Sequence, residues 1–197
     1  MLDLAPSDFA VVYTGNVHAA NLEELRSLWD AVARLRADGK PVVLVKTGWS
    51  ASEVSGFPWL GRGLRDLGWV SRARIPEILA AGDALVQPGG PGIFNDYRLP
   101  SKLPEFLASG RPVVLPRTNV GLLLEDGHQA LVLERGDAGE IANTIDRLSG
   151  DPELGKRLGE EGRNFALREL HWTGSVDKVE QLYREVSGRN RASHKAD

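Results

Sequence analysis

Short apolar runs alternate with amphipathic segments along almost the whole chain. Phe9–Thr14 is a β-branched and aromatic run closed by Gly15, the pattern of a buried strand. Asn21 followed by Glu24 has the spacing of a capping box, and Leu22, Leu25, Leu28, Trp29, Val32 and Leu35 recur at helical spacing until Gly39. Pro41–Gly48 predicts a second strand, and the uninterrupted apolar stretch Val42–Val45 implies that both of its faces are covered, as in parallel sheets. Trp49–Gly63 is expected to be a loop, Leu64–Val70 a strand, Ile75–Ala81 a short helix and Asp83–Pro88 a strand. A loop over Gly89–Leu99 then leads to a helix over Pro100–Ser109 stopped by Gly110, a strand over Pro112–Pro116, a helical turn at Leu122–Glu125 and a strand over Gln129–Glu134. Helices follow over Ala138–Leu148, Pro152–Arg168 and Trp172–Val186, before a polar, basic tail. Strands and helices alternating in this way predict the α/β class: a Rossmann-like, doubly wound parallel sheet in one domain with a helical C-terminus. The domain is expected to occupy residues 1–188, with residues 189–197 a disordered tail.

In an open parallel sheet, ligands bind beyond the carboxyl ends of the strands. That rule selects Gly15–Asn21, Lys46–Trp49, Gly68–Arg74 and Gly89–Glu105, of which the last is the most informative. A helix beginning near Pro100 would present unpaired amides with its dipole behind them, a ready anion site. Ser101 and Lys102 add a hydroxyl and a cation there. Glu105, one helical turn after Ser101, shares its face and has the chemistry to accept hydrogen bonds from the vicinal hydroxyls of a ribose. The residues alone leave open the alternative that Gly89–Gly92 is only a flexible turn, with Lys102 and Glu105 solvated.

Composition narrows the classes. The 197 residues are 42% hydrophobic and 26% charged, with a net charge of −3, so no global basic field points to nucleic acid. The absence of cysteine excludes disulfides, thiolate metal sites and cysteine nucleophiles, and fits a reducing cytoplasm, where the protein is expected to reside. No apolar run approaches the roughly 18 residues of a membrane span, and the start of the chain lacks the pattern of a signal peptide.

The stretch Asn95–Val114, NDYRLPSKLPEFLASGRPVV, resembles the signature region of the C-terminal, donor-binding domain of family 4 (group 1) glycosyltransferases, which have the two-domain GT-B fold. Other pieces agree in order: YTGNVHAAN at Tyr13–Asn21, GWV at Gly68–Val70, AAGDALVQP at Ala80–Pro88, the stretch Asn119–Asp137, and His171–Trp172 ahead of the last helix. The resemblance implies that Glu105 holds the ribose of a nucleotide-diphosphate sugar, and that amides around Ser101, Lys102 and Leu103 meet its diphosphate. It implies further that Trp69, Val70 and Ile75 line the base, that Asn95, Asp96 and Tyr97 face the donor sugar, and that Gly15 lets the first strand end approach the phosphates. Such enzymes normally retain anomeric configuration and use neither a metal nor another cofactor. Two departures stand out. The position of the family's first glutamate falls on Tyr97, with Asp96 beside it, and the stretch Gly15–Asn21 lacks the Arg and Lys that often neutralise the diphosphate. Lys46, Arg98 or Lys102 would have to supply that charge.

The implied function is glycosyl transfer to an unknown acceptor, and the acceptor-binding half is missing from this sequence. The alternative is a non-catalytic module that binds a nucleotide or nucleotide-sugar and acts with a partner protein. Trp172, Val176, Val179, Tyr183 and Val186 form an apolar stripe on the last helix. Solvating all five is costly, so the stripe is expected to fold back on the domain, or to be covered by an N-terminal domain, a partner subunit or a second copy.

Overall fold

The computed structural model describes residues 3–50, 61 and 63–193, and for residues 188–193 only the backbone. Six strands, β1 (Phe9–Thr14), β2 (Val42–Thr47), β3 (Leu64–Asp66), β4 (Ala84–Val86), β5 (Val113–Pro116) and β6 (Leu131–Leu133), form one sheet in the order β3-β2-β1-β4-β5-β6. Every neighbouring pair is parallel. The expected α/β doubly wound architecture is the one observed.

Alternation along β1 explains how the two faces are filled. Val11 and Tyr13 point to one side, where they meet Leu25, Leu28, Trp29 and Val32 of α1 (Leu22–Ala37) and Ile141 and Ile145 of α5 (Ala138–Gly150). Ala10 and Val12 point to the other, against Ile78 and Leu79 of α2 (Ile75–Ala80) and Leu103, Phe106 and Leu107 of α4 (Leu103–Ala108). The apolar run in β2 is buried on both faces, as its composition requires. Helix α6 (Pro152–Glu169) serves both layers: Leu154 and Leu158 join the first cluster, Phe165 and Ala166 the second.

Several elements depart from the expectation, each for a local reason. The strand from Leu64 ends at Asp66 because its carboxylate accepts the Gly68 amide (2.9 Å) and Gly68 turns the chain with φ of 58°. Within the expected loop Gly89–Leu99 lies a short helix, α3 (Ile93–Tyr97), begun by the Gly92 carbonyl accepting the Asp96 amide. The helix expected from Pro100 starts only at Leu103, whose amide closes a turn on the Pro100 carbonyl (3.0 Å). The helical turn near Leu122 is a 3-10 segment at Asn119–Leu123. No capping box forms at α1: the Asn21 carboxamide oxygen accepts the His18 amide (2.9 Å), and Glu24 turns away to another element. The last helix, α7 (Trp172–Ser193), runs beyond Val186 into the polar tail, of which residues 194–197 lie outside the described residues. Most of the expected loop Trp49–Gly63 lies outside them too.

The apolar stripe of α7 does not fold back. Trp172 is 82% exposed and Tyr183 71%, and Val176, Val179 and Val186 are exposed as well. Helix α7 departs from α6 and leaves this face without cover from the chain's own described residues. Among those residues no helix is long and apolar enough to cross a membrane.

Gly159 marks the tightest packing of α6. A Cβ there would lie 2.1 Å from the Gly110 carbonyl oxygen, a backbone atom in the turn before β5. Alanine would add up to ~1 kcal/mol of helix propensity, but the clash outweighs it. Gly159→Ala is expected to destabilise the fold by about 2 kcal/mol, seen in a thermal melt as a midpoint about 4–8 °C lower.

Candidate functional site

Strand β1 is the point where the connections diverge, since β2 lies on one side of it and β4 on the other. Beyond its carboxyl end opens a cleft of about 270 Å³. Its floor is the ends of two strands, Thr14 and Gly15 from β1 and Thr47 and Gly48 from β2. Trp69, Val70 and Ile75 form one wall, and Ser101, Lys102 and Glu105 the other. Seven of the residues expected from the sequence are thus brought together: Gly15, Trp69, Val70, Ile75, Ser101, Lys102 and Glu105.

The floor depends on glycine. Gly48 has φ of 93°, and a Cβ on it would sit 2.5 Å from the Gly15 carbonyl group, so the two turns pack backbone against backbone. Gly15 has φ of 142°, and a Cβ there would lie 2.8 Å from the Lys102 ammonium and 3.2 Å from the Tyr13 hydroxyl. The missing side chain is what admits Lys102 to the strand end.

The three candidate cations have different surroundings. The Lys46 ammonium is 1% exposed, donates to the Gly48 carbonyl (2.9 Å) and pairs with Asp66 (3.3 Å), so it braces the floor from beneath and has no charge to spare. Arg98 donates to the Glu24 carboxylate (3.0 Å), which also accepts the Asn95 carboxamide (2.7 Å); together they tie the α3 segment to the first turn of α1. Lys102 has neither a hydrogen-bond nor an ion-pair partner among the described residues, and its ammonium stands 3.9 Å from the centre of the Tyr13 ring. Burial, and then the nearby positive charge of Arg98, lowers its pKa to about 7, with Glu24 opposing. It is a cation placed in a cleft without a counterion among the described residues.

The other candidates divide as follows. Glu105 is half-exposed on the rim, with its carboxylate 3.7 Å from the Arg72 guanidinium. The Leu103 side chain is in the core, and its amide is taken by Pro100, so the amide is not free for a ligand. Asp96 and the 86% exposed Tyr97 stand on the outer surface of α3 rather than among the lining residues. Thr47, Gly48 and Arg72 lie within stretches that the strand-end rule selected but were not singled out there, and Thr14 falls one residue short of them; Tyr13 and Glu24 read only as a strand residue and a helix-capping residue, with no signal of their place beside the cleft. An adjoining groove of about 410 Å³ between α2 and α4 shares Ile75 and Glu105 with the cleft. A cavity of about 440 Å³ opens at the opposite end of the sheet beside Phe9, Asp83 and Pro112. There the Asp83 carboxylate already accepts the Ala10 amide (2.7 Å), and the site lies away from the switch point, so volume does not decide.

Comparison with known proteins bears on the family and the fold. The model of the family described as "Glycosyl transferases group 1" matches residues 8–151. The chain is 28% identical over 182 residues to the alpha-D-kanosaminyltransferase of Streptomyces kanamyceticus, an alignment covering 89% of this chain and 45% of that protein. Its fold is similar to that of HepE from Anabaena, solved in complex with UDP-glucose, with a TM-score of 0.71 at 18% identity over 92% of this chain and 49% of that one. It is also similar to a C-terminal domain of a group 1 glycosyl transferase, LpcC of Francisella tularensis, with a TM-score of 0.63 at 13% identity over 86% of this chain and 88% of that domain. The chain therefore spans about half the length of the first two proteins.

The brace beneath the floor can be tested alone. Asp66→Asn keeps an acceptor for the Gly68 amide but removes the charge opposite buried Lys46. Because the Asp66 side chain is 38% exposed, the loss is expected to be modest, about 1–2 kcal/mol, or roughly 2–8 °C in the melting midpoint. An unchanged midpoint would remove Lys46 from the structural role assigned to it.

Proposed function

The chain belongs to the group 1 glycosyl transferases, and from that premise we propose that it is the donor-binding half of such an enzyme. It binds a nucleotide-diphosphate sugar, whose glycosyl group passes to an acceptor held by a second half. The observation that carries this reading is the Lys102 ammonium, without an ion-pair partner among the described residues, in a cleft at the sheet's switch point, faced by glycine turns that let phosphate oxygens come close. An ammonium in such surroundings is stabilised by a neighbouring dianion, and the diphosphate of a nucleotide-sugar is a dianion.

Each lining group then has a role. Glu105 accepts hydrogen bonds from the ribose hydroxyls, which requires it to exchange its exposed contact with Arg72 for the ligand. Trp69, Val70 and Ile75 meet the base, and Ser101 adds a hydroxyl beside the phosphates; Asp96 and Tyr97, which stand on α3 outside the cleft lining, are proposed to contact the donor sugar where it projects past the rim. When the sugar leaves, negative charge grows on the departing diphosphate, and Lys102 is already positioned to stabilise it. The stripe on α7 is the surface proposed to receive the second half, whether an N-terminal domain, a partner subunit or a second copy.

Thermal shift with a panel of nucleotide-sugars tests the donor site. A ligand at a hundredfold excess over its Kd stabilises by about 2.7 kcal/mol, a rise of roughly 5–10 °C for a chain of this size. The rise should vanish in Glu105→Ala. No rise with any member of the panel would overturn the reading. If donor binds but addition of an acceptor-binding half yields no transfer, the chain is instead a binding module.

The pH dependence has a definite sign. The binding form carries protonated Lys102, and with the free pKa at about 7 that form becomes scarce as pH rises. Affinity for UDP-glucose, whose phosphates do not titrate near neutrality, is expected to be flat below pH 6 and to fall up to about tenfold per unit above 7. Lys102→Arg should abolish this break while retaining binding, as measured by calorimetry at several pH values.

A further inference from the structure

Two of the three candidate cations expected from the sequence are held by carboxylates, Lys46 by Asp66 and Arg98 by Glu24. Lys102 is held by an aromatic face, with its ammonium 3.9 Å from the centre of the Tyr13 ring. The difference has a chemical consequence. A carboxylate fixes an ammonium in place but cancels its charge for any incoming anion. A ring quadrupole fixes it and leaves the charge available.

Tyr13 is built to serve as such a shelf. It is 1% exposed on the strand that forms the cleft floor. Its hydroxyl donates to the Asn16 carbonyl (3.4 Å) and accepts the Asn21 carboxamide (3.3 Å), so the ring cannot swing. Burial, reinforced by Glu24, pushes its pKa up to about 12, so the ring does not turn into a phenolate that would neutralise Lys102. Gly15, lacking a side chain, leaves open the space between the shelf and the cleft.

We infer that Tyr13 is a positioning residue, which holds the Lys102 ammonium over the Gly15 turn as the uncancelled countercharge for the donor's diphosphate. This rests on the donor-site reading above, and the two can fail separately.

The test weakens the ring's face without changing its shape. Phenylalanine and pentafluorophenylalanine are placed at position 13, each in the native and the Lys102→Gln background, and binding of UDP-glucose and GDP-mannose is followed by calorimetry across pH. Tyr13→Phe should bind within about twofold of the native protein. Fluorination should weaken binding about five- to tenfold in the native background and not at all in Lys102→Gln. It should also move the break in the pH profile to lower pH, because the ammonium loses its support. A ring that serves packing alone would weaken both backgrounds equally and leave the break in place; either result overturns the inference. If neither nucleotide-sugar binds the native protein, the donor-site reading falls and this inference with it. If they bind normally and fluorination changes nothing, only the role of Tyr13 falls.

Discussion

When all strands of a sheet run the same way, their carboxyl ends open on one side, and the connections must return over one face or the other. Here β1 pairs with β2 on one side and β4 on the other, so the segments leaving these ends diverge and a crevice opens between them. The turn after β1 and the turn after β2 meet so closely that Gly48 has no room for a side chain, while a side chain on Gly15 would meet Lys102 and Tyr13. Backbone reaches the cleft floor, and Lys102 reaches it from the opposite wall. Where every other group of the site sits follows from that contact.

Charge around the crevice is sorted rather than merely present. Lys46 is used below the floor, Arg98 beside it, and each has its own carboxylate. These pairs hold β2 to β3 and α3 to α1, leaving Lys102, among the described residues, without an ion-pair partner where an anion can approach. A site with three unpaired cations would repel itself, and one with three ion pairs would have little attraction left for a ligand.

Much of this was legible in the sequence because it depends on local pattern. Strand order along the chain, the buried character of Val42–Val45 and the helical period of Leu22–Leu35 are all short-range signals. The members of the cleft wall came from strand ends and from the resemblance over Asn95–Val114. What stayed hidden depends on distance. The sequence displays Lys46 and Arg98 as free cations, because Asp66 lies on another strand and Glu24 on another helix. Tyr13 reads as an ordinary inward-facing strand residue until Lys102 is seen above it. Short elements were misjudged for a related reason: Ile93–Tyr97 is too brief to show a period between its glycine and proline neighbours, and the start of α4 is set by one turn bond at Pro100.

Helix α6 has a consequence of another kind. Its first half is buried with one layer and its second half with the other, crossing the end of the sheet between them. Neither layer can peel away without stripping the same helix from both. Such a shared strut couples the two layers, so that losing the packing of one removes support from the other.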